Sequence, residues 1–295
     1  MKNVEYVLVR SLFFVFSRLS FKWGKRLALL LTFVVEKLIR YRRSVILDNL
    51  HKVYGTHLPR PKNELLHEIY KNFVFLWMEF LQSNRLNSQS VSKRMHIKNP
   101  QVLQVVRRRE SGFIFISGHF GNFEWLGQCM ALSDLPPITA IAKKQSNLKV
   151  NRFIVQMRER NGLRIVYTKE AMREAEQALR RKEIVAIAFD QDARKKGVFV
   201  NFLGLPSSTA VGTAVLHLRT AAKIVLLIAL RKDYAQFEVY LQEIAIPRLE
   251  GDTETKIRTI TQIFTSEFEK WVRRYPEQWF WMHKRWKTQP SKVES

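Results

Sequence analysis

From Gly112 to Leu241 the chain alternates short runs of β-branched, aliphatic and aromatic residues with longer segments of helical periodicity, and this alternation confines it to an α/β layer fold. The strand candidates are Gly112 to Ser117, Ile138 to Ala142, Leu163 to Tyr167, Ile184 to Phe189, Ile224 to Leu230 and Phe237 to Leu241. Between them Phe123 to Leu132, Asn147 to Arg160, Lys169 to Arg181 and Thr209 to Ala221 carry helical patterns, and Pro61 to Arg85 is a helical region ahead of the first strand. Functional groups in such a fold belong at the carboxyl ends of the strands.

Two polar motifs sit at such ends. His119-Phe120-Gly121-Asn122-Phe123-Glu124 follows the first strand, and Asp190-Gln191-Asp192 follows the fourth. Positions five apart on one helix lie about 140° apart, so His119 and Glu124 converge only if Gly118 and Gly121 break the backbone between them. An imidazole can take the proton of a hydroxyl as it attacks a thioester, provided a carboxylate fixes its tautomer. The motif therefore suggests acyl transfer, with His119 as general base and Glu124 as its orienting group. N–H groups at the turn and helix N-terminus would offset charge on the tetrahedral intermediate. The plain alternative is a chance His and Glu with structural roles; the glycines and the preceding strand favour the dyad. Asp190 is expected to order the site through hydrogen bonds to backbone or Arg groups, a structural role being the alternative. Thr209 suits a helix N-cap better than a nucleophile, since no Gly-x-Ser-x-Gly turn is present, and His217 is assigned to packing.

The 295 residues include 50 Lys and Arg against 26 Asp and Glu, a formal charge of +24, which calls for a polyanionic partner: nucleic acid, an anionic membrane or an acidic protein. No RNP-like, zinc-finger or helix-turn-helix pattern supports nucleic acid. The single cysteine, Cys129, excludes an intramolecular disulfide and falls on an apolar helix, where core packing is expected; no Cys/His spacing suggests zinc.

Two N-terminal apolar runs, Leu12 to Phe16 and Leu27 to Val35, are separated by Arg18, Lys22, Lys25 and Arg26. Neither reaches the roughly 18 uncharged residues of a spanning helix. With Phe21 and Trp23 among the cations, residues 1–45 are expected to form a membrane-associating helical segment lying in the interface, an amphipathic core helix being the alternative. Residues 46–287 then form one domain and 288–295 a disordered tail. Trp271, Trp279, Trp281 and Trp286, interleaved with Arg273, Arg274, Lys284 and Arg285, are expected to form a membrane-interface belt, the alternative being a packed cap over the sheet.

Several segments together resemble one family, the bacterial lipid A biosynthesis acyltransferases of the lysophospholipid acyltransferase superfamily. His119 and Glu124 match its H-x4-E signature, Arg42-Arg43 with Asn49-Leu50 its R-R...N-L segment, and Arg158, four residues before Gly162, its R-x3-G segment. Asp190-Gln191-Asp192, Gly197 to Val200 and Phe202-Leu203-Gly204 resemble its D-Q-D...V-F-V...F-F-G segment, with Leu203 where a second Phe is usual. Trp279 to Trp286 resembles its W-x-W-x-H-x-R-W.

The resemblance implies a mixed, largely parallel sheet flanked by helices, glycerolipid-acyltransferase-like. It implies transfer of a fatty acyl group from acyl carrier protein to a hydroxyl of a phosphorylated glucosamine lipid at the cytoplasmic face of a bacterial inner membrane, with no metal or tightly bound cofactor. Arg158 is assigned to phosphate on the acceptor or on the donor's phosphopantetheine arm, with Lys143 in the adjoining segment. Gln191 and Asp192 are assigned to sugar hydroxyls, and Arg194, Lys195 and Lys196 to phosphates or the acidic carrier; an ordinary charged loop is the alternative. Another glycolipid or phospholipid acceptor would use the same chemistry. A non-catalytic basic membrane or nucleic-acid binding protein would account for the charge but not the dyad.

Overall fold

A computed structural model describes residues 2–167 and 171–290. Its elements begin with α1 (Lys2–Phe16), α2 (Phe21–Phe33), a π-helical turn at Val34–Ile39, α3 (Arg43–Tyr54), α4 (Lys62–Leu81) and α5 (Ser88–Arg94). They continue with β1 (Met95–Ile97), α6 (Gln101–Arg107), β2 (Phe113–Ser117), α7 (Phe123–Ala131), β3 (Ile138–Ala142), α8 (Leu148–Glu159), β4 (Leu163–Tyr167), α9 (Ala171–Arg180) and β5 (Ile184–Ala188). The chain ends with β6 (Val198–Phe202), β7 (Leu205–Thr209), α10 (Gly212–Thr220), β8 (Lys223–Asp233), β9 (Gln236–Ile244) and α11 (Thr253–Arg274).

Seven strands form one sheet in the order β1-β9-β8-β2-β5-β3-β4, and β6 and β7 form a separate antiparallel hairpin. All pairings in the large sheet are parallel except β8 with β9. This is the mixed α/β sheet that the alternation predicts. Apolar side chains cover both its faces: Ile114, Val185 and Ile224 pack on one side with α9, α10 and α11, while Phe113, Phe115 and Val225 pack on the other with α4 and α7. Burial on both faces explains why these strands show continuous apolar runs rather than alternation.

The chain leaves β2 toward β3 but leaves β5 toward β8, on the opposite side of β2. Loops after two adjacent strands therefore part, opening a crevice at their carboxyl ends. Ser117 pairs with Ala188 at the last register position, so His119 and Asp190 emerge side by side, each two residues further on.

Two expectations need correction here. Thr209 does not cap a helix: it ends β7, fully buried, and α10 starts at Gly212 without a side-chain cap. The C-terminal tryptophans form no exposed belt, for Trp279, Trp281 and Trp286 are buried and pack on one another and on Phe202. Rings of that size gain more from burial than from a wet surface, and the chain after α11 folds back to supply it. The helical pattern from Lys169 is described only from Ala171 onward. Of the tail from 288, Thr288 Oγ1 donates to Asp192 Oδ2 at 2.9 Å, and residues 291–295 lie outside the described residues.

Among the described residues no helix is long and apolar enough to cross a membrane. Helix α1 buries none of its residues; it is tied down by Asn147, whose Nδ2 donates to Lys2 O and Glu5 Oε2, each at 2.8 Å, and by Phe13 set edge-on to Phe153. Helix α2 buries Gly24, Ala28 and Thr32 while leaving Trp23, Leu30 and Phe33 more than half exposed.

Candidate active site

The turn after β2 is held in place by the C-terminal segment. Phe280 N donates to His119 O at 3.0 Å, Gly121 N donates to Gln278 O at 2.9 Å, and Phe120 bridges to Trp279. Only glycine fits twice in this turn. A Cβ on Gly118 would strike the ring of Phe268, and one on Gly121, which has φ 55°, would strike the carbonyl of Ala229.

His119 does not meet Glu124. Its Nδ1 lies 2.6 Å from Asp190 Oδ1, and its backbone N–H donates to Asp190 Oδ2 at 2.8 Å. Trp279 Nε1 donates to the same Oδ2 at 2.8 Å. An anionic Asp190 accepts from Nδ1–H, which leaves the basic lone pair on Nε2. Gln191 Nε2, at 3.1 Å, caps that nitrogen from the exposed side.

The pair sets its own electrostatics. Burial by itself disfavours charge on both groups, but the Asp190 carboxylate, through its charge and hydrogen bond, more than offsets this and raises the His119 pKa above its ordinary value of 6.5. Asp190 falls from 3.8 to about 2: burial works against ionisation, and His119 together with the Trp279 and backbone donors outweighs it. His283, whose Nε2 accepts from the backbone N–H of Asp192 at 3.1 Å, is pushed down by burial.

Glu124 belongs instead to Arg158. The guanidinium binds it in a fork, Nε to Oε2 at 3.0 Å and Nη2 to Oε1 at 2.6 Å. Helical geometry is the reason: Glu124 lies in the first turn of α7, and its carboxylate points across to α8 rather than back to His119. Arg158 thereby commits two of its five N–H donors to Glu124. Asp192 is equally occupied, its two carboxylate oxygens accepting from Arg194 N and Thr288 Oγ1. Gln191 and Lys143 remain exposed beside the crevice.

A second buried pair supports α7. Asn122 Oδ1 caps the helix by accepting from Trp125 N at 2.8 Å, and its Nδ2 donates to Glu79 Oε2 at 2.6 Å. Glu79, with no exposure, is ion-paired to Arg231 and accepts from Ala235 N at 2.7 Å. In sequence Glu79 resembles any acid on a helix; its signal is its place in the apolar stripe between Met78 and Phe80. The Arg42 and Asn49 motif is explained similarly: Arg42 Nη1 donates to Met282 O, and Asn49 Nδ2 to Trp281 O and His283 O.

From His119 a cavity of about 650 Å³ runs beneath α7. His119, Glu124, Arg158, Lys143 and Gln191 line it with polar groups, and deeper in, its walls are Ala140, Ala186, Gly127, Met130 and Leu163. Ala140 and Ala186 are register partners on β3 and β5. Small residues there, facing a glycine on α7, leave space that larger side chains would fill. The volume falls within the roughly 300–1,000 Å³ usual for ligand pockets.

Comparison with known proteins places the chain in a family. Residues 4–288 match the family model described as bacterial lipid A biosynthesis acyltransferase. The Lipid A biosynthesis palmitoleoyltransferase of Escherichia coli (strain K12) is 24% identical over 255 residues, 85% of this chain and 81% of the relative. The Lipid A biosynthesis acyltransferase of Shigella flexneri matches with the same identity and coverage. With nearly its whole length matched, the chain belongs to the bacterial lipid A biosynthesis acyltransferase family and is an acyltransferase with a lipid acceptor.

Proposed function

We propose that the protein transfers a fatty acyl group from the thioester of acyl carrier protein to a hydroxyl on an acyl chain of a lipid A precursor. The observation that carries this is a histidine held by a buried carboxylate and lining an apolar cavity, its Nε2 covered only by Gln191, which gives way to the acceptor hydroxyl. The cavity takes the donor's hydrocarbon chain and leaves the thioester carbonyl beside His119. Nε2 then accepts the proton of the acceptor hydroxyl as its oxygen bonds to the carbonyl carbon. Asp190 stabilises the imidazolium, and the N-terminal turn of α7, whose dipole end lies beside His119, offsets the oxyanion. When the intermediate collapses, the C–S bond breaks and the imidazolium returns its proton to the thiolate. The Glu124–Arg158 fork shapes the mouth of the cavity between α7 and α8.

The donor's acidic carrier fits the exposed Lys143, Lys144, Arg194, Lys195 and Lys196, which follow the carboxyl ends of β3 and β5 on the edge of the sheet that carries the site. The exposed apolar side chains of α1 and α2, set among Arg10, Arg18, Lys22 and Arg26, suit contact with an anionic bilayer, which supports placement at the cytoplasmic face of the inner membrane. The test is incubation of the whole protein with acyl carrier protein charged with different fatty acids and a tetra-acylated lipid A precursor, alongside His119→Ala. Transfer by wild type and its loss in the folded variant supports the reading. Absence of transfer with every donor, or equal transfer by the variant, sinks it.

A further inference from the structure

A line of aromatic rings leads outward from His119. Phe280 stands 6.1 Å from His119 between ring centroids, Phe73 is 5.9 Å from Phe280, and Tyr41 stacks on Phe73 at 5.5 Å. Trp77, edge-on to Phe73 at 6.4 Å, lines the cavity and is 41% exposed. The line ends at an unusual piece of backbone. Arg40 and Arg42, on either side of Tyr41, have φ of 52° and 51°, the left-handed region that non-glycine residues rarely adopt. The π-helical turn precedes them, and Tyr70 Oη holds the strained loop by donating to Tyr41 O at 2.9 Å.

That loop presents a concentration of positive charge. Arg40 and Arg42 are exposed and Arg43 half-buried, and none of the three has a carboxylate partner among the described residues. Glu36 in the same segment is buried and already held by Lys37 and His67. Exposed Leu38 and Ile39 continue the apolar surface outward. Rings leading to the reactive histidine, flanked by unpaired guanidinium groups, match a molecule with hydrocarbon chains and a phosphate.

Resting on the acyl-transfer reading above, we infer that Arg40, Arg42 and Arg43 bind a phosphate of the lipid acceptor while its acyl chains lie along Tyr41, Phe73, Trp77 and Phe280. Donor and acceptor then meet at His119: the donor chain fills the cavity beneath α7, and the acceptor reaches it along the rings, of which Trp77 and Phe280 also line the cavity wall. Arg42 also anchors Met282 O, so the two remaining arginines are the cleaner probes.

The test compares wild type, an Arg40→Asn/Arg43→Gln double variant, in which Asn tolerates the left-handed backbone, and Trp77→Ser. Transfer is measured in neutral-detergent micelles with a phosphorylated tetra-acylated acceptor and with the same acceptor after phosphate removal. Binding of each lipid is measured separately without donor. The expected result is a rise of about tenfold or more in acceptor KM and in lipid Kd for the double variant on the phosphorylated lipid, with donor KM unchanged. On the phosphate-free lipid, wild type and double variant become alike. Trp77→Ser weakens both lipids equally. Unchanged Kd and KM in the double variant overturn the inference. So does a defect seen only when anionic phospholipid vesicles replace the micelles, since the arginines would then grip the bilayer rather than the acceptor. If wild type transfers nothing yet the Kd pattern holds, the acyl-transfer reading fails and the phosphate site stands.

Discussion

His119 is paired with Asp190, 71 positions away in sequence, at 2.6 Å, whereas Glu124, five positions away, is bound to Arg158. The two strand ends do what the local motif cannot: parallel pairing of β2 with β5 fixes Ser117 opposite Ala188 and brings the groups beyond them together. The H-x4-E motif is thus half of a contact made elsewhere.

The Trp279 indole gives Asp190 one of its three hydrogen bonds, and Trp279→Phe removes that donor while keeping an aromatic ring. Loss of a hydrogen bond to a charged group should cost about 1.5–3 kcal/mol, and urea unfolding at neutral pH measures it. The depressed pKa of Asp190 means that its contribution is complete above its ordinary value near 3.8 and disappears as the pH falls toward about 2. The variant's penalty should shrink in that acid range.

Arg158→Lys tests the fork. Lys keeps the charge but cannot make two parallel bonds, so Glu124 stays paired and the protein should remain folded while transfer falls about tenfold. Arg158→Ala leaves the 9%-exposed Glu124 without its cation and should lower stability by about 3 kcal/mol. Thermal unfolding of the two variants separates the effects; equal destabilisation would show that charge contributes nothing there.

Much of the sheet was legible because strands buried on both faces carry short runs of β-branched and aromatic residues such as Phe113-Ile114-Phe115-Ile116. Three-residue β1 lacks the length to show any pattern. His119 and Asp190 were legible as positions at strand ends, but their partnership depends on strand order, which local periodicity does not encode. The C-terminal tryptophans misled for a related reason: alternating Trp and cation look the same whether the rings face lipid or, as Trp281 does at 0% exposure, the core. Glu79 shows no sign of its ion pair with Arg231, because a helical acid and a strand-borne arginine 152 positions apart meet only in the folded chain.

Asn122 caps α7 with its oxygen and satisfies Glu79 with its amide. Asn122→Ala should lose about 1 kcal/mol for the cap and a further 1–3 kcal/mol for the unsatisfied buried carboxylate. Asn122→Asp, ordinarily an equal cap, should be worse than Ala because it sets two carboxylates face to face. Urea midpoints rank the two; Asp better than Ala would contradict the assignment.

Gly127 sits inside α7, where an added Cβ would make only ordinary contact with Leu163. Gly127→Ala should therefore raise stability by roughly 0.5–1 kcal/mol. Because Gly127 lines the cavity, Gly127→Val and Ala186→Leu should shift donor preference to shorter chains. A chain-length series of acyl donors measures this, and an unchanged preference would place the hydrocarbon chain elsewhere.

Under the proposed mechanism Asp190, not Glu124, governs the base, and the pH dependence of kcat/KM for transfer distinguishes the two carboxylates. In the proposed mechanism the neutral imidazole is the active form, so activity should fall as the pH drops through the raised pKa of His119. Asp190→Asn removes the main influence raising that pKa: the acid limb should move to lower pH and the plateau rate fall by about 10²- to 10⁴-fold. Glu124→Gln should move the limb less. A limb that shifts with Glu124→Gln while Asp190→Asn leaves both limb and plateau unchanged would contradict the account.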